Sequence, residues 1–277
     1  MSKYKVKVGD VECGADNLFL ICGPCVIEEE TLMMRTAEKL KEISVRLNIP
    51  LIFKSSFQKD NRSSSAFYKG PGIENGIALL QKIKDQFELP VLSDVHYPEQ
   101  ILASAKTLDV IQIPAYLCMQ TDLIIEAAKT GKTINIKHGQ FLAPDNMIKP
   151  IQKVLGAGNN NVMVTERGYT FGYNDLIVDP RSFYYLRQTG YPVIFDITHS
   201  IRKYGIPSSD PRGGTRELLP TIARAGVAAG VDGIFLEAHP NPPDALCDAA
   251  SQLYLDKLEE FIKPLLELHH IAKKYEE

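Results

Sequence analysis

The sequence predicts an α/β protein, a (β/α)8 barrel of the TIM type, on three observations. Short, almost continuously apolar runs recur eight times along the chain. Amphipathic stretches of helical length separate them, as repeated βα units around a parallel sheet require. The unusual polar residues gather at the C-terminal ends of the runs, the edge at which barrels of this kind carry their sites. A chain of 277 residues suits one such barrel, so residues 1–277 are read as a single domain.

The elements follow in order. Residues 3–17 alternate weakly around Gly9-Asp10 and predict a hairpin, within 1–17, across the N-terminal end of the barrel. The eight strands are LFLICG (18–23), LIFKSS (51–56), VLSDV (91–95), DVIQIPA (109–115), TINIKHG (133–139), NVMVTERG (161–168), VIFDITHS (193–200) and GIFLEAHP (233–240). Their near-continuous apolarity is that of strands covered on both faces. Residues 28–47, 72–87 and 213–230 repeat apolar residues at helical spacing. Residues 121–129 fit a shorter helix closed by Gly131. No internal repeat or low-complexity linker divides the chain.

Composition limits the functional classes. With 44% hydrophobic and 23% charged residues the chain is an ordinary globular one, which excludes collagen-like, disordered and disulfide-scaffold proteins. A net charge of −3 gives no global attraction to nucleic acid or anionic lipid, so anion binding must come from local clusters. No apolar run approaches the roughly 18 residues of a membrane span. Residues 18–27 are too short for one and follow Glu12 and Asp16 rather than a basic leader, so a cytoplasmic protein is expected. The five cysteines, Cys13, Cys22, Cys25, Cys118 and Cys247, are an odd number and read as thiols or ligands.

Polar residues at the predicted strand ends are Cys25, Lys54, Asp94 and His96, Gln112, Lys137 and His138, Glu166 and Arg167, Asp196 and His199, and Glu237 and His239. Any one of them reads equally as a satisfied polar group at a strand end, but together they point to one site. Lys54, Lys59, Arg62, Lys137 and Arg167 would converge into a positive pocket suited to phosphate and carboxylate groups. The alternative for some is a solvated surface charge. Cys25, His199 and Glu237, with Asp248 a further candidate, offer a thiolate, an imidazole and two carboxylates to a divalent transition ion such as zinc, iron or manganese. Their spacing matches no local zinc motif, and a buried structural cysteine is the other reading of Cys25. Cys22-Gly-Pro-Cys25 also matches the thioredoxin redox motif, which keeps a thiol–disulfide oxidoreductase open. Beyond those four residues that likeness fails, since the chain has no tryptophan and eight βα units.

Over almost its whole length the sequence resembles the 3-deoxy-D-manno-octulosonate 8-phosphate synthases. The blocks that carry the resemblance are GPCVIE (23–28), FKSSFQKDNRSS (53–64), GPG (70–72), SDVH (93–96), IQIPAYLC (111–118), QTDL (120–123), GQF (139–141), TERG (165–168), FGYNDLIVD (171–179), FDITHS (195–200) and EAHP (237–240). The NRSS block favours this family over the related 3-deoxy-arabino-heptulosonate 7-phosphate synthases. The resemblance implies condensation of phosphoenolpyruvate with arabinose 5-phosphate, a step in lipopolysaccharide sugar synthesis. It implies that Lys54, Lys59, Lys137, Gln140 and Arg167 hold phosphoenolpyruvate, with the backbone near Ala115 and with Gln112 in the same set. Asn61, Arg62 and Ser63 would face the aldose phosphate. The catalytic set is then Lys54, Asn61, Asp94, His96, Lys137 and His199, with the choice between His96 and Asp94 for the proton left open.

Cys25, where metal-independent relatives carry asparagine, implies the metal-requiring class, with Cys25, His199, Glu237 and Asp248 as ligands. Small-molecule substrates and a homotetramer are the implied partners, with no nucleic acid and no membrane. Two departures concern the aldose half: Met119 stands where the family has arginine, and His138 replaces a second lysine. Residues 202–214 also differ from the common form, and Arg202, Lys203 and Arg212 are the candidates to replace the missing cation. The rivals are a synthase for a different or unphosphorylated aldose, the oxidoreductase, and a non-catalytic sugar-phosphate sensor.

Overall fold

The computed structural model describes residues 2–275 except 171, 173, 204, 208 and 209. Expectations that fall on those five positions, within the FGYNDLIVD block and residues 202–214, and on residues 1, 276 and 277, lie outside the described residues.

Strands β1 (Val6–Val8) and β2 (Val11–Cys13) form the expected antiparallel hairpin, with Val8 opposite Val11. Gly9 opens its turn at φ +57, a conformation that glycine adopts without steric cost. The barrel strands are β3 (Phe19–Gly23), β4 (Leu51–Lys54), β5 (Val91–Asp94), β6 (Val110–Ile113), β7 (Thr133–Lys137), β8 (Val162–Glu166), β9 (Val193–Asp196) and β10 (Gly233–His239). All are parallel to their neighbours. Because β10 pairs with both β9 and β3, the sheet closes on itself. A short β11 (Leu253–Tyr254) extends the top of β10 and had no strand signal in the sequence.

A helix follows each barrel strand: α1 (Glu30–Leu47), α2 (Ile73–Phe87), α3 (Pro98–Ser104), α4 (Thr121–Lys129), α5 (Ile148–Gly156), α6 (Pro180–Arg187), α7 (Leu219–Ala228) and α8 (Leu258–Lys274). In α1 the buried Met33, Thr36, Ala37, Leu40 and Ile43 recur at three- and four-residue intervals, the stripe that lies on the barrel. The helix stops at Asn48, which takes the left-handed conformation two residues before Pro50. Helix α7 packs so closely on β9 that a Cβ at Gly226 would lie 2.2 Å from the Phe195 ring.

Alternation along each strand sorts its side chains between two cores. Leu20, Cys22, Leu51, Phe53, Ile111, Ile134, Val164, Phe195 and Ile234 pack outward into a cluster shared with the helices. Phe19, Ile21, Ile52, Leu92, Val110, Met163, Ile194 and Phe235 form an inner cluster with Val6, Val8, Val11 and Cys13 of the hairpin. Gly9 and Gly14 lie against Pro90 and Pro192, which precede β5 and β9, and Tyr4 stacks on Tyr191 at 4.8 Å. The hairpin therefore closes the N-terminal end of the barrel with apolar side chains, and the opposite end is left for polar ones.

Candidate active site

The inward positions that are apolar at the bottom of each strand turn polar at the top, and a cavity of about 610 Å³ opens there. Its wall includes Lys54, Lys59, Asn61, Arg62, Ser63, Gln112, Ala115, Lys137, Gln140 and Arg167, the ten residues expected to hold substrate. Asp94, His96, His199 and Asp248 line it too, as do Arg202 and Lys203 from the stretch after β9. Cys25 and Glu237, both fully buried, sit behind the wall.

Lys54 is almost fully buried, and its ammonium donates to Glu237 Oε1 at 2.7 Å and to the Cys25 carbonyl at 2.9 Å. Gly23 makes that second contact possible. A Cβ there would fall 2.0 Å from the Lys54 carbonyl oxygen, so only glycine lets the chain cross so close above β4. Lys137 is paired with Asp196, and its ammonium lies 3.6 Å from the centroid of the Phe235 ring, a cation–π contact at the floor of the cavity. Burial, with Lys54 and Arg167 nearby, holds the Lys137 pKa below the ordinary lysine value although Asp196 opposes the shift. In the sequence Phe235 is one more apolar residue of the GIFLEAHP strand, and nothing there marks it as cavity floor.

Asp94 accepts from the Ser56 hydroxyl and lies 3.3 Å from His96 Nε2. Burial alone would raise its pKa, but Lys59 and His96 hold it well below the carboxylate range, so Asp94 is an anion. Gln112 Oε1 accepts from Asn135 at 3.1 Å, and Asn135 Oδ1 accepts from Thr165 at 2.7 Å. This buried ladder across β6, β7 and β8 fixes the Gln112 amide. Arg167 has one guanidinium nitrogen, Nη1, buried without a partner among the described residues, which marks it as available to an anion.

Besides Cys25 and Glu237, four of the strand-end residues do not enter the cavity wall. His138 is fully buried on the outer side of the barrel, with Nδ1 2.9 Å from Glu166 Oε2 and Nε2 2.7 Å from the Leu142 carbonyl. Glu166 in turn accepts from the backbone N–H groups of Arg167 and Gly168. His138 and Glu166 thus brace the turn that carries Arg167 and do not line the cavity. His239 packs beside Glu28, 3.5 Å from its carboxylate. Asp196 lies beneath the wall, where His199 and Lys137 hold its pKa far down although burial opposes them. Met119 is half-buried against the outer core, and its carbonyl accepts from Lys153.

The expected metal ligands also converge. Donor atoms of His199, Glu237 and Asp248 lie within 4.8 Å of one another, and so do those of Cys25, Cys247 and Asp248, so Asp248 belongs to both groups. His199 Nδ1 faces Asp196 at 2.8 Å, which turns Nε2 toward Asp248 at 3.4 Å and Glu237 at 3.9 Å. A carboxylate behind a ligating imidazole is the usual second partner in metal sites. Glu237 Oε2 is buried with no hydrogen-bond partner among the described residues. Burial, then hydrogen bonding to Cys247 and the nearby Asp248, pushes the Cys25 thiol well up. An unsatisfied carboxylate oxygen beside a thiol, an imidazole and a second carboxylate is a donor set that fits a divalent transition ion. Cys22, by contrast, packs in the outer core, whereas Cys25 packs with Val26 and Cys247, and both thiols are free. The two halves of the CGPC motif therefore belong to different environments.

Fold and site together define a (β/α)8-barrel enzyme whose mouth gathers cations above a thiol–imidazole–carboxylate cluster. The chain belongs to the DAHP synthetase I family, whose sequence model matches residues 3–274. The 2-dehydro-3-deoxyphosphooctonate aldolase of Geotalea daltonii is 49% identical over 270 residues, covering 97% of this chain and 99% of that protein. Its counterpart of the same name from Fusobacterium nucleatum is 50% identical over 97% of both chains. The one from Trichlorobacter lovleyi is 48% identical over 97% of this chain.

Proposed function

We propose that this enzyme condenses phosphoenolpyruvate with D-arabinose 5-phosphate and water, giving 3-deoxy-D-manno-octulosonate 8-phosphate and inorganic phosphate. The relatives' shared name, 2-dehydro-3-deoxyphosphooctonate aldolase, denotes that activity. The observation that carries the reading is that one cavity of about 610 Å³ collects cations for two anionic substrates beside a transition-metal donor set. In the reaction the methylene carbon of phosphoenolpyruvate bonds to the aldehyde carbon, water adds to the enol carbon, and phosphate leaves with cleavage of the carbon–oxygen bond.

Lys54, Lys59, Lys137, Gln140 and Arg167 hold the phosphate and carboxylate of phosphoenolpyruvate, with Gln112 and the backbone at Ala115 shaping the slot. Arg62, Asn61 and Ser63 face the aldose phosphate. Two anions repel, and the cationic wall offsets that repulsion while fixing the reacting carbons in line. Asp94, held as a carboxylate, orients His96, whose Nδ1 is buried and unpartnered among the described residues. His96 then handles the proton and Asp94 positions it. Cys25, His199, Glu237 and Asp248 hold the divalent ion, zinc, iron or manganese, which when bound supplies Lewis acidity toward the aldehyde or the attacking water. No helix among the described residues is long and apolar enough to cross a membrane. A single-domain, cytoplasmic homotetramer completes the proposal.

Phosphate release, measured with phosphoenolpyruvate and a panel of phosphorylated and free aldoses, tests the reading. Arabinose 5-phosphate is expected to give the highest kcat/KM. Release with a free aldose instead would move the assignment to a different synthase, and release with none would reject the activity.

The aldose side carries its own prediction. Of the three candidates, Arg202 is tied to Asp248 and Arg212 pairs with Asp210 at the surface, so Lys203 is the one that lines the cavity with no side-chain acceptor among the described residues. Lys203→Ala is expected to raise KM for the aldose phosphate about tenfold or more, as for a charge-assisted hydrogen bond, with KM for phosphoenolpyruvate unchanged. Equal effects on both substrates would show that Lys203 does not serve the aldose end. Cys22→Ala, by contrast, removes only a packed sulfur, at a cost of about 1 kcal/mol in stability, and is expected to leave turnover near wild type. A large loss of turnover with an unchanged melting temperature would revive a chemical role for Cys22.

A further inference from the structure

The residues behind the metal-type cluster include Cys247, a cysteine outside the four-residue ligand set expected from the sequence. We propose that Cys247 is a second thiolate ligand beside Cys25, and that the pair biases the site toward soft ions such as zinc and cadmium over manganese and magnesium. The inference rests on the reading of Cys25 as a metal ligand.

Three features converge on it. The sulfurs of Cys25 and Cys247 and a carboxylate oxygen of Asp248 lie within 4.8 Å of one another, with all three residues buried. The arrangement is held from behind by Gln252, itself fully buried. Its Oε1 accepts from the Cys25 N–H at 3.3 Å, and its Nε2 donates to the Cys247 carbonyl at 2.8 Å. One side-chain amide thus clamps two cysteine-bearing segments that are 222 residues apart in the chain.

The second feature is local. Cys247 and Asp248 are consecutive, yet both present donor atoms to one cluster, and Asp248 takes a left-handed conformation at φ +50. Such a backbone is uncommon for a non-glycine residue and collects at functional sites. The third is a contact: the Arg62 guanidinium donates to Cys247 Sγ at 2.7 Å, so the sulfur faces the polar cluster with a lone pair toward a hydrogen-bond donor. On binding, each thiol gives its proton to water as its sulfur donates an electron pair to the ion, so no oxidant or reductant is needed. Thiolate donors select zinc and cadmium, whereas carboxylate and imidazole donors alone discriminate less against hard ions. Two sulfurs in place of one sharpen that selection.

Full-length protein, stripped of metal and titrated anaerobically with cobalt(II), tests the proposal without recourse to activity. The wild type is expected to show a near-ultraviolet sulfur-to-cobalt charge-transfer band. Cys247→Ser and Cys25→Ser are each expected to lose about half of it, while the visible bands show cobalt still bound. A Cys247→Ser band as strong as the wild-type band overturns the proposal and leaves Cys25 as the sole thiolate. Cobalt uptake with no sulfur band, or no uptake at all, overturns the metal reading of Cys25 together with it. If the serine variant does not fold, cadmium NMR of the wild type decides, because a shift typical of two sulfur donors supports the proposal and one typical of a single sulfur rejects it. Competition between zinc and manganese is expected to favour zinc about tenfold less in Cys247→Ser, on the scale at which ligand surroundings change metal affinity. An unchanged ratio overturns the claim of selectivity.

Discussion

Lys137→Met is expected to lower kcat/KM by about two to three orders of magnitude, the scale on which loss of one preorganised charge stabiliser is felt. The methionine keeps the length and apolar stem of the lysine but removes the ammonium from the cavity floor. The fold should survive the change. Asp196, left without its lysine, still faces His199 Nδ1 at 2.8 Å and accepts from the His199 N–H at 2.9 Å and from Thr198 Oγ1 at 3.2 Å. Lys54 is a poorer probe, because its removal would strand Glu237, whose Oε2 already lacks a partner, and breaking a buried pair costs about 3 to 5 kcal/mol. Steady-state kinetics with a melting curve for the same variant separates the two effects. A kcat/KM within about threefold of wild type would remove Lys137 from the proposed machinery.

The same lysine sets an alkaline limit. Burial depresses its pKa in the fold, so the ammonium is lost at a lower pH than the roughly 10.4 of a free lysine. The grip on phosphoenolpyruvate proposed for Lys137 would be present below the folded pKa and lost as pH rises through it. For stability the sign is reversed. A depressed lysine pKa means that charging is less favourable in the fold than in the unfolded chain, so this group's cost is greatest below the folded pKa and is relieved above it. The pH profile of kcat/KM is expected to fall on the alkaline side below an ordinary lysine value, and Lys137→Met should lose that limb.

Removal of metal is expected to abolish turnover, and zinc, manganese or iron, but not magnesium, to restore it, because a thiolate in the donor set favours transition ions. Cys25→Ala should lose both bound metal and activity, as measured by elemental analysis and phosphate release on one preparation. Full activity in rigorously metal-free protein would sink the metal-requiring assignment. Cys25→Asn is the sharper variant. The resemblance to the octulosonate phosphate synthases implies asparagine at this position in metal-independent members, so this variant is expected to keep some turnover without metal.

Much of the architecture was legible because its causes are local. Eight apolar runs, each ending in polar residues, announced eight covered strands. Gly9-Asp10 announced the hairpin, and the helical spacing from Met33 to Ile43 announced α1. The motif blocks also named the cations of the cavity wall, since phosphate and carboxylate groups demand lysine, arginine and amide donors at strand ends. What was not legible depends on neighbours distant in the chain. Adjacent polar residues on one strand point to opposite faces, so Lys137 enters the cavity while His138, beside it, braces the outer turn at Glu166. Strand pairing and barrel closure decide which face is inside, and no local signal carries that choice. Phe235 became the floor beneath two lysines, and Cys247 became a neighbour of Cys25, only because β10 closes against β3 and Gln252 ties the segment that follows to the first strand's turn. The sequence by itself determined which chemistry the chain carries, through residue types and their periodicity. Only the tertiary structure decided which groups meet, because contact between residues more than 200 positions apart is set by the closure of the sheet and not by either segment alone.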